Sequence, residues 1–221
     1  MPDLLNPLRA GRWRRTARRW LARLPGLGPS VQAAPVFLLG HPKSGTTAIG
    51  VLLSRATGLP VTLDPFRTYD IDRTEAADLI EGRTRMADFV RAHPYAFATP
   101  LHKCPKLTFA FEAVRACFPE SRFALIVRDP RDTLRSFLFR RGLPGDAADL
   151  PHPLTLLPAL PGDHYIERLA HRWNRAADVA LAHPGLVLIR YEDFVSDKPG
   201  EIARLAGRLH LAAPNSITPW L

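Results

Sequence analysis

Cysteine is nearly absent. The 221 residues include two, Cys104 and Cys117, too few for a disulfide framework and in keeping with a reducing compartment. Lysine is scarce as well: only Lys43, Lys103, Lys106 and Lys198 stand among 30 basic residues, so the net charge of +9 rests on arginine. No apolar run reaches eighteen residues, which argues against a membrane-spanning helix. The arginine-rich start, "RWRRTARRWLARLPGLG", lacks the continuous apolar centre of a secretory signal. These absences predict a cytoplasmic chain. A hydrophobic fraction of 46% and a charged fraction of 23% are those of a folded domain with a sizeable core. The excess positive charge suits an anionic ligand, a nucleic acid or an acidic membrane face.

Residues 1–34 read as a basic N-terminal extension and residues 35–221 as one α/β domain. Within the extension, Leu8, Trp13, Trp20, Leu21 and Leu24 fall among arginines. Residues 8–24 are therefore either a helix packed on the domain or a contact with an anionic membrane. From Pro35 onward, short apolar runs alternate with helical stretches. Strands are predicted at 36–39, 59–63, 95–101, 122–127 and 186–190. Helices are predicted at 46–56, 75–92 and 106–117, from about 131, and at 165–182 and 199–209, with a proline-rich loop at 142–162. Continuous apolar strands, each followed by a helix, imply a sheet covered on both faces. The predicted fold class is thus a three-layer α/β domain with a mainly parallel, five-stranded sheet.

The first strand runs into Gly40-His-Pro-Lys-Ser-Gly-Thr-Thr47. In nucleoside triphosphatases the loop lysine follows the second glycine. Here Thr46 takes that slot and the lysine sits earlier, at Lys43. Thr47 occupies the position that usually touches magnesium. Gly45 still allows backbone amides to approach an anion, and the following helix adds its positive N-terminal end. Such a loop can grip a phosphate with no evident need for a metal.

P-K-S-G-T-T directly after a strand resembles the 5′-phosphosulfate loop of sulfotransferases that use 3′-phosphoadenosine 5′-phosphosulfate (PAPS). "IVRDPRDTLRS" (126–136) resembles the 3′-phosphate element of the same family, and "LVLIRYEDF" (186–194) its third segment. The resemblance spans Val36 to Leu209, with the segments in order. It implies PAPS binding by Lys43, Ser44, Gly45, Thr46, Thr47, Arg128 and Ser136. Tyr191 is either an adenine neighbour or a core tyrosine. Two departures stand out. Ala48 occupies a position where many cytosolic members place tryptophan. Beyond Arg208 only His210 is basic, where the family usually carries a basic, glycine-containing loop over the 3′-phosphate.

Leu101-His102-Lys103-Cys104-Pro105 resembles the K-x-P form of glycan and protein-tyrosine members more than the K-T-H of cytosolic ones. The resemblance implies catalytic roles for Lys43 and Lys103 at the leaving group or the sulfuryl oxygens. The base stays open between His102 and Asp64. Strand alternation puts His102 on the opposite face from Lys103, and Asp64 is alternatively a turn residue. The expected acceptor is a small-molecule or glycan hydroxyl, on a carbohydrate or glycolipid, with no metal and no nucleic-acid partner. Two other readings remain. A nucleotide-dependent kinase would use Asp129 towards magnesium but lacks a lysine at position 46. A catalytically impaired bisphosphate-binding relative would explain the shifted histidine and the missing basic loop.

Overall fold

The computed structural model describes residues 30–69, 71–144 and 160–220; the expectations for 8–24, and for most of the proline-rich loop, lie outside them. Every residue of β1 (Val36–Gly40) is buried. Val36 and Leu38 pack with Ile49 and Leu53 of α1 (Thr46–Thr57). Phe37 and Leu39 enter a second cluster on the opposite face. A strand buried on both faces has no polar side to show, which is why its sequence reads as an unbroken apolar run.

Four more strands complete the sheet: β2 (Val61–Leu63), β3 (Leu101–Lys103), β4 (Arg122–Val127) and β5 (Val187–Arg190). Their order is β2-β3-β1-β4-β5, and every neighbouring pair is parallel. A short α2 (Pro65–Thr68) follows β2. The Phe37 face is covered by α3 (Arg73–Ile80), α4 (Met86–Ala92) and α5 (Phe111–Cys117). α6 (Pro130–Arg141) and α7 (Tyr165–Ala182) pack on each other. α8 (Tyr191–Ser196) leaves β5 directly, and α9 (Lys198–Arg208) joins α1 on the Val36 face. The result is a three-layer α/β fold with a five-stranded parallel sheet. Among the described residues no helix is long and apolar enough to cross a membrane.

The third strand lies beyond the run predicted for it, 95–101, and shares only Leu101 with it. Pro94–Phe97 form a 3₁₀ turn and pairing starts only at Leu101, because Pro94 fixes a turn-like φ and offers no ladder donor. The helix predicted over 75–92 is two helices, α3 and α4, divided at Gly82 with φ +74°. The helix predicted from 106 begins as a 3₁₀ turn, Pro105–Ala110.

β1 is the switch point of the sheet. The chain leaves it for β2, returns as β3 beside it, and continues as β4 on its other side. Helices after β1 therefore depart in opposite directions, and a crevice opens at the carboxyl ends of β1, β3 and β4.

Candidate functional site

The loop after β1 sits in that crevice. The Gly40 amide donates to Thr108 Oγ1 (2.9 Å), and the Thr108 hydroxyl donates back to the Gly40 carbonyl (3.1 Å). The Ser44 amide closes a turn on the His41 carbonyl at 3.1 Å. Lys43 has φ +78° and Gly45 φ +84°. For a lysine this is a left-handed, strained backbone of the kind held at functional loops. No side chain caps the N-terminus of α1, so its first amides and its partial positive charge are left for an anion. Ser44 Oγ is buried without a hydrogen-bond partner. Thr46 is buried and Thr47 exposed.

Beyond β4, Arg128 ties three elements together. Its Nη1 donates to the Lys43 carbonyl (3.1 Å), and its guanidinium lies 4.4 Å from the centre of the Tyr191 ring. Trp173 of α7 donates from Nε1 to the Arg128 carbonyl (3.0 Å), while the Asp129 amide donates to Glu192 Oε1 of α8 (2.8 Å). Arg128 Nε is buried and unpartnered. Tyr191 also crowds Gly45: a Cβ there would fall 2.2 Å from Tyr191 Cδ2. Ser136 lies two turns along α6, half-buried. Asp129 caps α6 and pairs with the Arg131 guanidinium at 2.8 Å; this hydrogen bond is the main reason its carboxyl is held down at about 2.

At the end of β3, two residues that the sequence left as separate candidates meet. Asp64 opens α2 in a left-handed conformation, φ +50°. Its amide donates to the Lys103 carbonyl (2.8 Å), and Lys103 Nζ donates to Asp64 Oδ2 at 2.5 Å. The Lys103 side chain is 3% exposed and that of Asp64 42%. The carboxylate therefore reaches solvent while the ammonium sits beneath it. Lys103 Cβ lies against α1, where a Cβ on Gly50 would approach it to 3.3 Å.

His102 points the other way. It is fully buried, stacked on Phe37 at 5.4 Å and tilted against Phe97 at 5.7 Å. Neither ring nitrogen meets hydrogen-bond geometry. Burial lowers its pKa from 6.5 to about 4, and the nearby Thr99 backbone offsets this only in part. In the unfolded chain the imidazole binds its proton near pH 6.5. Its contribution to stability is thus complete above that pH and is lost as pH falls towards 4. His102→Phe should flatten this acid limb by up to roughly 3 kcal/mol. Urea unfolding between pH 4 and 7 reads the slope; an unchanged profile would show that another group sets it.

Between the loop, β3 and α6 lies a cleft of about 610 Å³. Lys43, Thr46, Thr47, Asp64 and Lys103 line it, whereas Arg128, Ser136, Tyr191 and His102 do not. Lys106, Phe137, Arg140, Arg141 and Arg172 line it as well. Burial, then Arg140, Arg141 and Lys103, push the Lys43 pKa down. His41, buried behind the loop, is lowered to about 3 by burial and by Arg172. Lys106 and Arg172 did not emerge from sequence motifs. One signal was present: in a chain with four lysines, three line this cleft.

A family model described as "Sulfotransferase family" matches residues 74–215, more than half of the chain. In three dimensions the chain is similar to a sulfotransferase from Alicyclobacillus acidocaldarius, with TM-score 0.53 and 12% identity over 85% of this chain and 86% of that one. It is also similar to a sulfotransferase from Mycobacterium tuberculosis, with TM-score 0.55, 13% identity and coverage of 92% and 72%. The sulfotransferase domain of the curacin biosynthetic pathway gives TM-score 0.52, 18% identity and coverage of 83% and 74%. At these identities the likeness is one of fold. No curated protein matches the sequence.

Proposed function

The chain belongs to the sulfotransferase family, and we propose that it transfers a sulfuryl group from PAPS to a hydroxyl of a carbohydrate or glycolipid. One observation carries this reading: an uncapped anion loop opens onto the same cleft as Lys43 and the Asp64–Lys103 pair. The unpartnered Ser44 Oγ and Arg128 Nε fit an oxyanion-bearing donor. PAPS supplies the activated sulfuryl group and leaves as adenosine 3′,5′-bisphosphate.

The amides that open α1, with Lys43 and the hydroxyls of Ser44, Thr46 and Thr47, hold the phosphosulfate. Arg128 and Ser136 hold the 3′-phosphate. Arg128 must then leave the face of Tyr191, which frees that ring for adenine. Asp64 acts as the base. It takes the acceptor proton as the acceptor oxygen bonds to sulfur and the bridging S–O bond breaks, its electron pair passing to the 5′-phosphate oxygen beside Lys43. Lys103 positions Asp64 through the hydrogen bond from Nζ to Oδ2. Once Asp64 is protonated, the ammonium is free to stabilise the sulfuryl oxygens. His102 serves the core and not the chemistry.

Adenosine 3′,5′-bisphosphate, without magnesium, should raise the melting temperature by roughly 5–10 °C at a hundredfold excess over Kd. AMP and ATP should do much less. Equal shifts with AMP in differential scanning fluorimetry would remove the case for a 3′-phosphate site.

A further inference from the structure

The cleft holds more positive charge than the donor accounts for. Seven cationic side chains line it against one carboxylate, Asp64, which Lys103 already holds. The donor's phosphosulfate is met by residues 43–47, and its 3′-phosphate by Arg128 and Ser136, which lie outside the lining. Five cations remain: Arg67, exposed on α2, and Lys106, Arg140, Arg141 and Arg172. The latter four reach the cleft from three separate elements: the 3₁₀ turn after β3, the last turn of α6, and α7.

None of the four has a carboxylate partner among the described residues. Each neighbours other cations, although Lys106 also feels the Asp64 carboxylate. Arg140 and Arg141 press on Lys43, while Arg172 presses on both Lys106 and His41. Arg172 is the extreme case: its Nε is buried with no acceptor, and burial together with Arg141 lowers its pKa to about 10. Three of these cations are held over aromatic rings. Arg172 lies 5.3 Å from the Phe109 centroid, Lys106 5.1 Å from Phe66, and Arg141 5.7 Å from Phe137. Stacking fixes their direction without neutralising them. Arg172 and Lys106 are half-buried, while Arg140 and Arg141 are exposed; like charges gathered this way repel in the free protein unless an anion fills the space between them.

We propose that the acceptor carries an oxyanion of its own, a carboxylate, phosphate or sulfate ester beside the reacting hydroxyl, and that Arg172, Arg140, Arg141 and Lys106 grip it. This rests on the sulfotransferase reading above and narrows its acceptor. The anion anchors the molecule among these four cations, within the cleft that Asp64 and the loop share, and so presents the hydroxyl to them. The enzyme therefore adds charge to a compound that is already acidic, and discriminates against neutral hydroxyl compounds.

The test separates the two anion sites by filling the first. Protein saturated with adenosine 3′,5′-bisphosphate is titrated with inorganic phosphate against chloride of equal ionic strength, with thermal shift as the readout. Phosphate should add further stabilisation. Arg172→Gln, and separately the surface pair Arg140→Gln/Arg141→Gln, should weaken phosphate binding about tenfold or more while bisphosphate affinity stays within about threefold. Arg172→Gln should also melt higher than wild type without ligand. In a second arm, 4-nitrophenyl β-glucuronide should bind the saturated protein about tenfold more tightly than the matching glucoside, which distinguishes a carboxylate from phosphate. Phosphate acting no better than chloride, together with equal binding of the two glycosides, overturns the proposal; a response in one arm alone identifies which oxyanion the site takes. So does a parallel loss of bisphosphate affinity in the variants, because the cations would then serve the donor. Wild-type protein that ignores the bisphosphate altogether overturns the donor reading beneath it.

Discussion

Asp64→Asn should lower turnover by about 10²–10⁴-fold and leave both folding and bisphosphate affinity near wild type. The substitution is unusually clean here. Asparagine tolerates the left-handed backbone that Asp64 occupies, φ +50°. Its side-chain oxygen can still accept from Lys103 Nζ, now 2.5 Å from Asp64 Oδ2. What disappears is the capacity to take a proton. Lys103→Met tests the other half of the pair by removing the buried ammonium that orients the carboxylate. Because the two act as a unit, Asp64→Asn/Lys103→Met should be little worse than the more damaged single variant. Steady-state sulfation with PAPS, alongside bisphosphate thermal shifts, reads all three. Near-normal turnover in Asp64→Asn would reduce the carboxylate to a turn residue that happens to neutralise Lys103.

Gly45→Ala should abolish donor binding and lower the melting temperature by several degrees. Two costs coincide at this position. The backbone has φ +84°, which costs a non-glycine residue about 1–2 kcal/mol. A Cβ would also fall 2.2 Å from Tyr191 Cδ2, and Tyr191 carries the Arg128 guanidinium. Relieving the clash moves the ring, the arginine and the loop carbonyl bound to it. Gly82→Ala is the matched control: its φ is +74° and nothing lies within 4 Å of the added methyl. The difference between the two variants isolates the close approach from the backbone strain. Gly45→Ala/Tyr191→Ala should recover part of the melting temperature by removing the clash and keeping the strain. Wild-type bisphosphate affinity in Gly45→Ala would show that the loop takes a different shape when it binds.

Much of this protein is legible along the chain because its determinants are local. The apolar run of β1 announces a strand buried on both faces, and Gly40 to Thr47 carry the pattern of an anion loop within eight consecutive residues. Strand parity separates His102 from Lys103, since successive side chains on a strand leave by opposite faces. Pro94, Gly82 and Pro105 carry turn chemistry that apolar periodicity masks: a 3₁₀ turn stands where a strand reads from 95, Gly82 divides one helical run, and Pro105 starts another as a 3₁₀ turn. Only the tertiary structure joined Asp64 to Lys103 across 39 residues, and Asp129 to Glu192 across 63. It also gathered Lys106, Arg140, Arg141 and Arg172 around one cleft. The parallel sheet is the reason. Each crossover helix returns the chain to the same edge, so residues far apart in sequence converge at the carboxyl ends of the strands, where no local pattern records which of them will meet.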